Sequence, residues 1–225
     1  MIEPRLVARG SGLAILLACA TGCTDEPAPI VVDERLETLG RCDGFNPLRD
    51  PYFGDTHVHT MLSLDANLQG TRMTPTEAYR FARGEELGIQ PFDAEGEPLR
   101  KLQLSRPLDF AALSDHAEFL GLVKSCVDPS AAGYDSSACQ DYRDDPDSAF
   151  LSINFRLAIP QGSASAPPPC DPDEGGCPAA QLSAWQELQD AAETAYDRTS
   201  SCAFTSFVAY EWSASPASLN LHRNV

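Results

Sequence analysis

Tyr52-Phe53-Gly54-Asp55-Thr56-His57-Val58-His59 reads as a short strand running into a polar loop. Side chains on an extended backbone alternate with period two, so His57 and His59 fall on one face. Two neutral imidazoles side by side can seat one divalent cation. By itself His-x-His is a weak signal, because such pairs also occur as surface accidents. Two more segments strengthen it. Leu108-Asp109-Phe110-Ala111-Ala112-Leu113 has strand length and is followed directly by Ser114-Asp115-His116. Phe204-Thr205-Ser206-Phe207-Val208-Ala209-Tyr210 reads as a third, buried strand ending on Glu211-Trp212. Each candidate strand ends in a metal-compatible side chain, and the carboxyl edge of a parallel α/β sheet or barrel is where sites are built. Any single histidine is more often a satisfied structural residue than a ligand. Here all four in the chain, His57, His59, His116 and His222, fall in segments of this kind.

Between these segments the pattern is helical or turn-like. Thr74-Pro75-Thr76-Glu77 predicts a helix start, with Thr74 as N-cap, Pro75 in the first turn and Glu77 closing a capping box; Gly84 predicts its end. Residues 90–101 carry turn chemistry and predict a surface hairpin or loop. Residues 128–178 read as a loop-rich insertion, and 164–178, with its Pro run and two cysteines, as irregular. Residues 179–197 give the best helix, with Leu182, Trp185, Leu188 and Ala192 on one face. Helix followed by buried strand, repeated, predicts an α/β fold with a parallel sheet.

The chain has 225 residues, enough for one large domain or two small ones. Its 16 Lys+Arg against 33 Asp+Glu give a net charge of −17, which excludes nucleic-acid binding through a basic footprint. Residues 1–23 read as a secretory signal: Arg5 and Arg9 precede the apolar run Leu13–Ala18, too short to span a bilayer. Cys19 and Cys23 each follow small residues in the manner of a lipoprotein lipobox. Either can be the acylated residue, and a plain cleaved signal is the alternative. Residues 24–50 are rich in Pro and acidic residues and read as a tether. The expected location is the periplasm or outer membrane, with membrane contact only through the lipid anchor.

Beyond Cys23 lie Cys42, Cys126, Cys139, Cys170, Cys177 and Cys202, an even set that fits disulfides in an oxidising compartment. Short loop closures favour Cys126–Cys139 and Cys170–Cys177, which leaves Cys42–Cys202. No C-x-x-C pair supports metal binding through sulfur. No Gly-x-Ser-x-Gly turn, Walker loop or dinucleotide fingerprint is present.

Gly54-Asp55-Thr56-His57-Val58-His59-Thr60, with Ser63 and Asp65 following, resembles the first motif of the PHP (polymerase and histidinol phosphatase) superfamily. Leu113-Ser114-Asp115-His116 resembles the second, and Glu211 resembles the metal-bridging glutamate of the third. Asn46 to Asp65, Arg106 to Leu120 and Phe204 to Val225 resemble more closely the branch called domain of unknown function 3604.

The resemblance implies a distorted (β/α)7 TIM-like barrel with two or three divalent cations, Zn, Mn or Fe, at the strand ends. It implies that His57, His59 and Glu211 hold one cation and that Glu211 bridges to a second, which His222 also serves. Asp65 and His116 would serve another, although many relatives carry His where Asp65 stands. Asp115 would orient a ligand histidine, and Arg223 would meet a phosphate oxygen. The implied activity is metal-dependent hydrolysis of a small-molecule phosphoester. A noncatalytic metal-binding exported protein, or an amidohydrolase-like enzyme acting on C–N bonds, are the alternatives. The superfamily pattern also calls for later ligands, yet no histidine follows His222. The chain is therefore expected to be the N-terminal part of a longer enzyme, a partial barrel that is inactive alone.

Overall fold

The computed structural model describes residues 42–46, 48–158, 170, 177–214 and 221–225. In chain order the first elements are β1 (Gly54–Val58), α1 (Leu64–Leu68), α2 (Pro75–Ala82), β2 (Leu87–Phe92), β3 (Pro98–Leu102) and β4 (Phe110–Leu113). A 3-10 turn (Ala117–Phe119) leads into α3 (Leu120–Val127), α4 (Ser137–Asp144), α5 (Pro146–Ala158) and α6 (Pro178–Ala195). The chain then forms β5 (Thr205–Val208), β6 (Glu211–Ala214) and β7 (Leu221–Asn224).

The expected parallel sheet is present, in the order β1-β4-β5. Its central strand, β4, carries the apolar residues Ala111 and Leu113 into a core shared with α2 and α6. Their neighbours Phe110 and Phe207 lie on the other face, with ring centroids 6.2 Å apart, edge to face. Gly54 pairs with Phe110, and a Cβ there would stand 2.3 Å from the Phe110 carbonyl oxygen and 2.4 Å from its ring. Only glycine allows this approach of β1 to β4.

Helix α2 starts as its sequence predicts. The Thr74 hydroxyl accepts from Glu77 N–H at 3.3 Å, and the Glu77 carboxylate accepts from Thr74 N–H at 2.9 Å. Gly84 follows with φ of 92°, a conformation that suits glycine and ends the helix. Ala78, Tyr79 and Ala82 face the core.

Helix α6 differs from its expected stripe. Leu182 is 68% exposed, and the buried face is Ala184, Leu188, Ala191, Ala192 and Ala195. Small residues win because α3 packs close: a Cβ on Gly121 would lie 2.7 Å from the Cys177 carbonyl oxygen. Trp185 is partly buried, edge-on to Tyr210.

The loop-rich reading of residues 128–178 is corrected by α4 and α5, which occupy much of it. Ser136 caps α4, accepting from Cys139 N–H at 3.2 Å. Cys139, Tyr142 and Ile153 join Leu64, Leu68, Phe119, Leu122, Val123 and Cys126 in a second core. The Cys126–Cys139 disulfide and the burial of Cys139, Tyr142 and Ile153 hold this segment to the body. Most of the irregular stretch 164–178 lies outside the described residues.

The three disulfides are Cys42–Cys202, Cys126–Cys139 and Cys170–Cys177, as loop closure favoured. They fit an oxidising compartment. The first corrects the tether reading for its last residues. Cys42 is bonded to the body, and Asp43 N–H donates to the Ser200 carbonyl at 2.8 Å. The signal and lipobox expectations, with Cys19 and Cys23, fall outside the described residues. Among those described, no helix is long and apolar enough to cross a membrane.

Residues 90–101 fall within the antiparallel hairpin β2-β3, as expected. The third strand is shorter than predicted: β5 stops at Val208, and Glu211 opens a separate antiparallel hairpin, β6-β7. Phe207 and Val208 are 47% and 42% exposed, so this strand is not buried as its composition implied. The fold is mixed α/β. Among the described residues the parallel strands number three and no barrel closes.

Candidate metal centre

Val58 pairs with Leu113 and packs against the core, which leaves His57 and His59 to the opposite side. At the end of β4 the backbone continues to His116, which forms a parallel bridge with Glu211. Glu211 N–H donates to the Asp115 carbonyl at 3.1 Å, so β6 starts beside the end of β4. In the β6-β7 hairpin Ser213 pairs with His222 and Glu211 with Asn224. Two strand ends, one hairpin and the first turn of α1, which carries Asp65, thus converge on a single point.

Glu211 is its centre, with its side chain 1% exposed. Its Oε2 lies 2.9 Å from His57 Nε2 and 2.8 Å from His59 Nε2. The other oxygen, Oε1, lies 2.5 Å from His222 Nδ1. His59 reaches a second carboxylate through Nδ1, 3.1 Å from both oxygens of Asp65. His116 Nε2 faces Asp65 Oδ2 at 3.8 Å, and its Nδ1 faces Glu211 Oε2 at 3.9 Å. Imidazole centroids are spaced 5.0 Å from His57 to His59, 4.9 Å from His59 to His116 and 5.6 Å from His116 to His222.

Three overlapping ligand groups result: His57 with His59 and Glu211, His59 with Asp65 and His116, and His116 with Glu211 and His222. Within each, the donor atoms lie within 4.8 Å of one another. This spacing and the N/O donor chemistry fit divalent cations. All six residues expected from the sequence as ligands are brought together.

The electrostatics follow from burial opposed by neighbours. Burial drives the Glu211 carboxyl upward, but four imidazoles outweigh it and hold its pKa below the usual range. Asp65 is likewise pushed up by burial and pulled well down by His59, the Ser63 hydroxyl and the Ala66 N–H. Burial lowers His59, yet Asp65 and Glu211 win and its pKa is raised. Burial dominates at His116, whose pKa is lowered.

Among the described residues, Asp115 makes no side-chain hydrogen bond to a histidine ring. Its carboxylate is fully buried against Thr60, and burial pushes its pKa up to about 6 despite two hydrogen bonds. It holds the backbone that follows His59. Arg223 is not brought to the centre. It pairs with Trp212, one position out of phase with His222, and is exposed, its guanidinium making no hydrogen bond or ion pair among the described residues.

Three residues left without a role by the sequence support the centre. Ser63 donates to Asp65 Oδ1 at 2.7 Å and accepts from His116 N–H at 3.3 Å. The Ser213 hydroxyl lies 2.9 Å from His116 Nδ1 and 3.1 Å from His222 Nδ1. Asn224 donates its side-chain amide to the Thr56 carbonyl at 2.8 Å and ties β7 to β1. The period-two rule applied from Glu211 and His222 reaches Ser213 and Asn224, so that signal was present.

Searches of curated proteins and of solved structures found no match. A family match spans residues 46–225, which takes in β1, β4, β5, the β6-β7 hairpin and every candidate ligand. The chain belongs to the family described as Protein of unknown function (DUF3604).

Proposed function

We propose that this chain carries the ligand cluster of an exported, metal-dependent hydrolase of the phosphoesterase type, built on part of a PHP-like barrel. The observation that carries the metal reading is Glu211. One buried carboxylate presents Oε2 to His57 and His59 and Oε1 to His222, the arrangement of a bridging ligand. The resemblance of residues 54–65, 113–116 and 211 to the superfamily motifs supplies the reaction class.

His57, His59 and Glu211 would hold one cation, Glu211 and His222 a second, and Asp65 with His116 a third. Such cations supply Lewis acidity toward a phosphoryl oxygen and an attacking water. The residues of the chain do the rest. Glu211 fixes the spacing between sites, Asp65 accepts a hydrogen bond from the Nδ1–H of His59, and Asp115 fixes the backbone between His59 and Ser63 through Thr60. A neutral His116 suits ligation, since a protonated imidazole cannot bind a cation. Export and lipid anchoring through Cys19 or Cys23 belong to the same proposal, in keeping with the three disulfides.

Metal content of chelator-free protein, measured with hydrolysis of p-nitrophenyl phosphate and bis-p-nitrophenyl phosphate, tests the reading. At least two equivalents and chelator-sensitive ester hydrolysis are expected. Less than one equivalent overturns it. Bound metal with only amide hydrolysis favours the C–N hydrolase, and bound metal without turnover favours a noncatalytic metal-binding protein.

A further inference from the structure

His116 belongs to two of the three ligand groups, and its two ring nitrogens face different carboxylates. Nε2 looks toward Asp65 at 3.8 Å and Nδ1 toward Glu211 at 3.9 Å. Ser213 breaks the tie. Its hydroxyl lies 2.9 Å from His116 Nδ1, closer than either carboxylate oxygen. We infer that Ser213 is a positioning residue of the centre, its hydroxyl accepting the Nδ1–H of His116 and so committing Nε2 to the cation on the Asp65 side.

A ligating imidazole needs a partner for its other ring N–H, which fixes both tautomer and ring orientation. Among the described residues Ser213 is the group placed to serve His116 in this way. The serine is itself held. Its backbone N–H donates to Glu118 Oε1 at 2.7 Å, and Glu118 lies in the 3-10 turn that follows His116 directly. Pairing with His222 across the hairpin aims its hydroxyl at the cluster, where it also lies 3.1 Å from His222 Nδ1. On the other side, Ser63 joins the His116 backbone to the Asp65 carboxylate. The imidazole is gripped at the main chain and at Nδ1, and the atom left for a cation is Nε2. His222 and Glu211 are then left to serve their cation without His116, which makes that position the weaker one within this chain. The inference rests on the metal reading proposed above.

The test is a long-range 1H–15N correlation spectrum of the histidines in the full chain loaded with Zn2+. His116 should keep a proton on Nδ1 while Nε2 shows the shift of a metal-bound nitrogen. Ser213→Ala should lose that pattern and weaken zinc binding by about 10- to 100-fold, the usual cost of losing a ligand's hydrogen-bond partner. Ser213→Thr, which keeps the hydroxyl, should restore both. Zinc on Nδ1 of His116 in the unaltered protein, or a Ser213→Ala spectrum and affinity like the parent's, overturns the inference while leaving the metal reading intact. Absence of zinc binding in the unaltered protein overturns the metal reading itself, and this inference with it.

Discussion

The Asp115 carboxylate accepts two hydrogen bonds from one residue, Thr60: Oδ1 lies 2.5 Å from its backbone nitrogen and Oδ2 2.8 Å from its hydroxyl. Both residues are fully buried. The pair clamps the chain leaving β1 to the chain leaving β4, and it thereby sets where His59 and His116 stand relative to each other. Removing Asp115 leaves a buried N–H and a buried hydroxyl without acceptors. Asp115→Ala should therefore lower the unfolding free energy by about 1–3 kcal/mol per orphaned group. Asp115→Asn, which retains one acceptor oxygen, should cost less. The urea midpoint at constant m-value measures both.

Glu211 is the candidate ligand shared by the largest number of imidazoles, whereas His57 is 53% exposed, hydrogen-bonds to the cluster through Glu211 and otherwise meets it only at the His59 ring. Glu211→Ala should remove more metal per chain than His57→Ala, as read by elemental analysis after dialysis. Equal losses would show that the groups are independent and that Glu211 does not bridge.

Metal affinity should rise with pH. In the metal-free chain the protonated His59 imidazole, opposed by burial but held by Asp65 and Glu211, has a pKa raised above its ordinary 6.5. Its contribution to metal-free stability is complete below 6.5 and is lost as pH climbs through the raised folded value. A cation must displace that proton, so zinc affinity should still be increasing above pH 6.5. Calorimetric titrations in buffers of different ionisation enthalpy should show proton release on binding. A pH-independent affinity across this range would exclude His59 as a ligand.

The Cys42–Cys202 bond spans 160 residues and is the longest covalent loop in the fold. Closing a loop of that length restricts the unfolded chain by about 5 kcal/mol on the entropic estimate. Neither cysteine is buried, so replacing both by serine reads the chain constraint rather than packing. Stability should fall by about 3–5 kcal/mol in thermal or urea unfolding, with the three strands and the His/Asp/Glu cluster otherwise unchanged.

Gly54 has no room for a side chain beneath Phe110. Gly54→Val should separate β1 from β4 or shift their register, at a cost of about 1–3 kcal/mol or more. Because His57 and His59 sit at the end of the same strand, metal affinity should fall with it. Gly70→Ala is the control: no atom stands within 4 Å of its Cβ, so its cost is limited to the backbone strain of a φ of 89°.

Part of the candidate ligand set was legible in residue type and period, and the resemblance to known motifs added Asp65 and the bridging role of Glu211. His57 and His59 declare a shared face through alternation, Thr74 and Glu77 declare a helix start through reciprocal hydrogen bonding, and cysteine spacing favoured the disulfides that form. Short-range chemistry of this kind needs no knowledge of the rest of the chain. What the tertiary structure alone decided is which partners those residues meet. Part of the 128–178 segment folds into α4 and α5, where Cys126, Cys139, Tyr142 and Ile153 share a common core, a non-local gain that the segment's turn-rich composition does not announce. Leu182 is left outside because α3 and α6 pack closely through Gly121, and helix–helix distance is invisible in a single helix's pattern. Arg223 stands beside His222 in sequence, yet strand alternation and pairing with Trp212 turn it away. Thr60 carries no signal as a residue type, and strand phase places Ser213 on the right face without naming its partner. Their roles exist only because β4, β6 and β7 bring a hydroxyl to within 3 Å of His116 Nδ1 and a buried carboxylate to the end of β1.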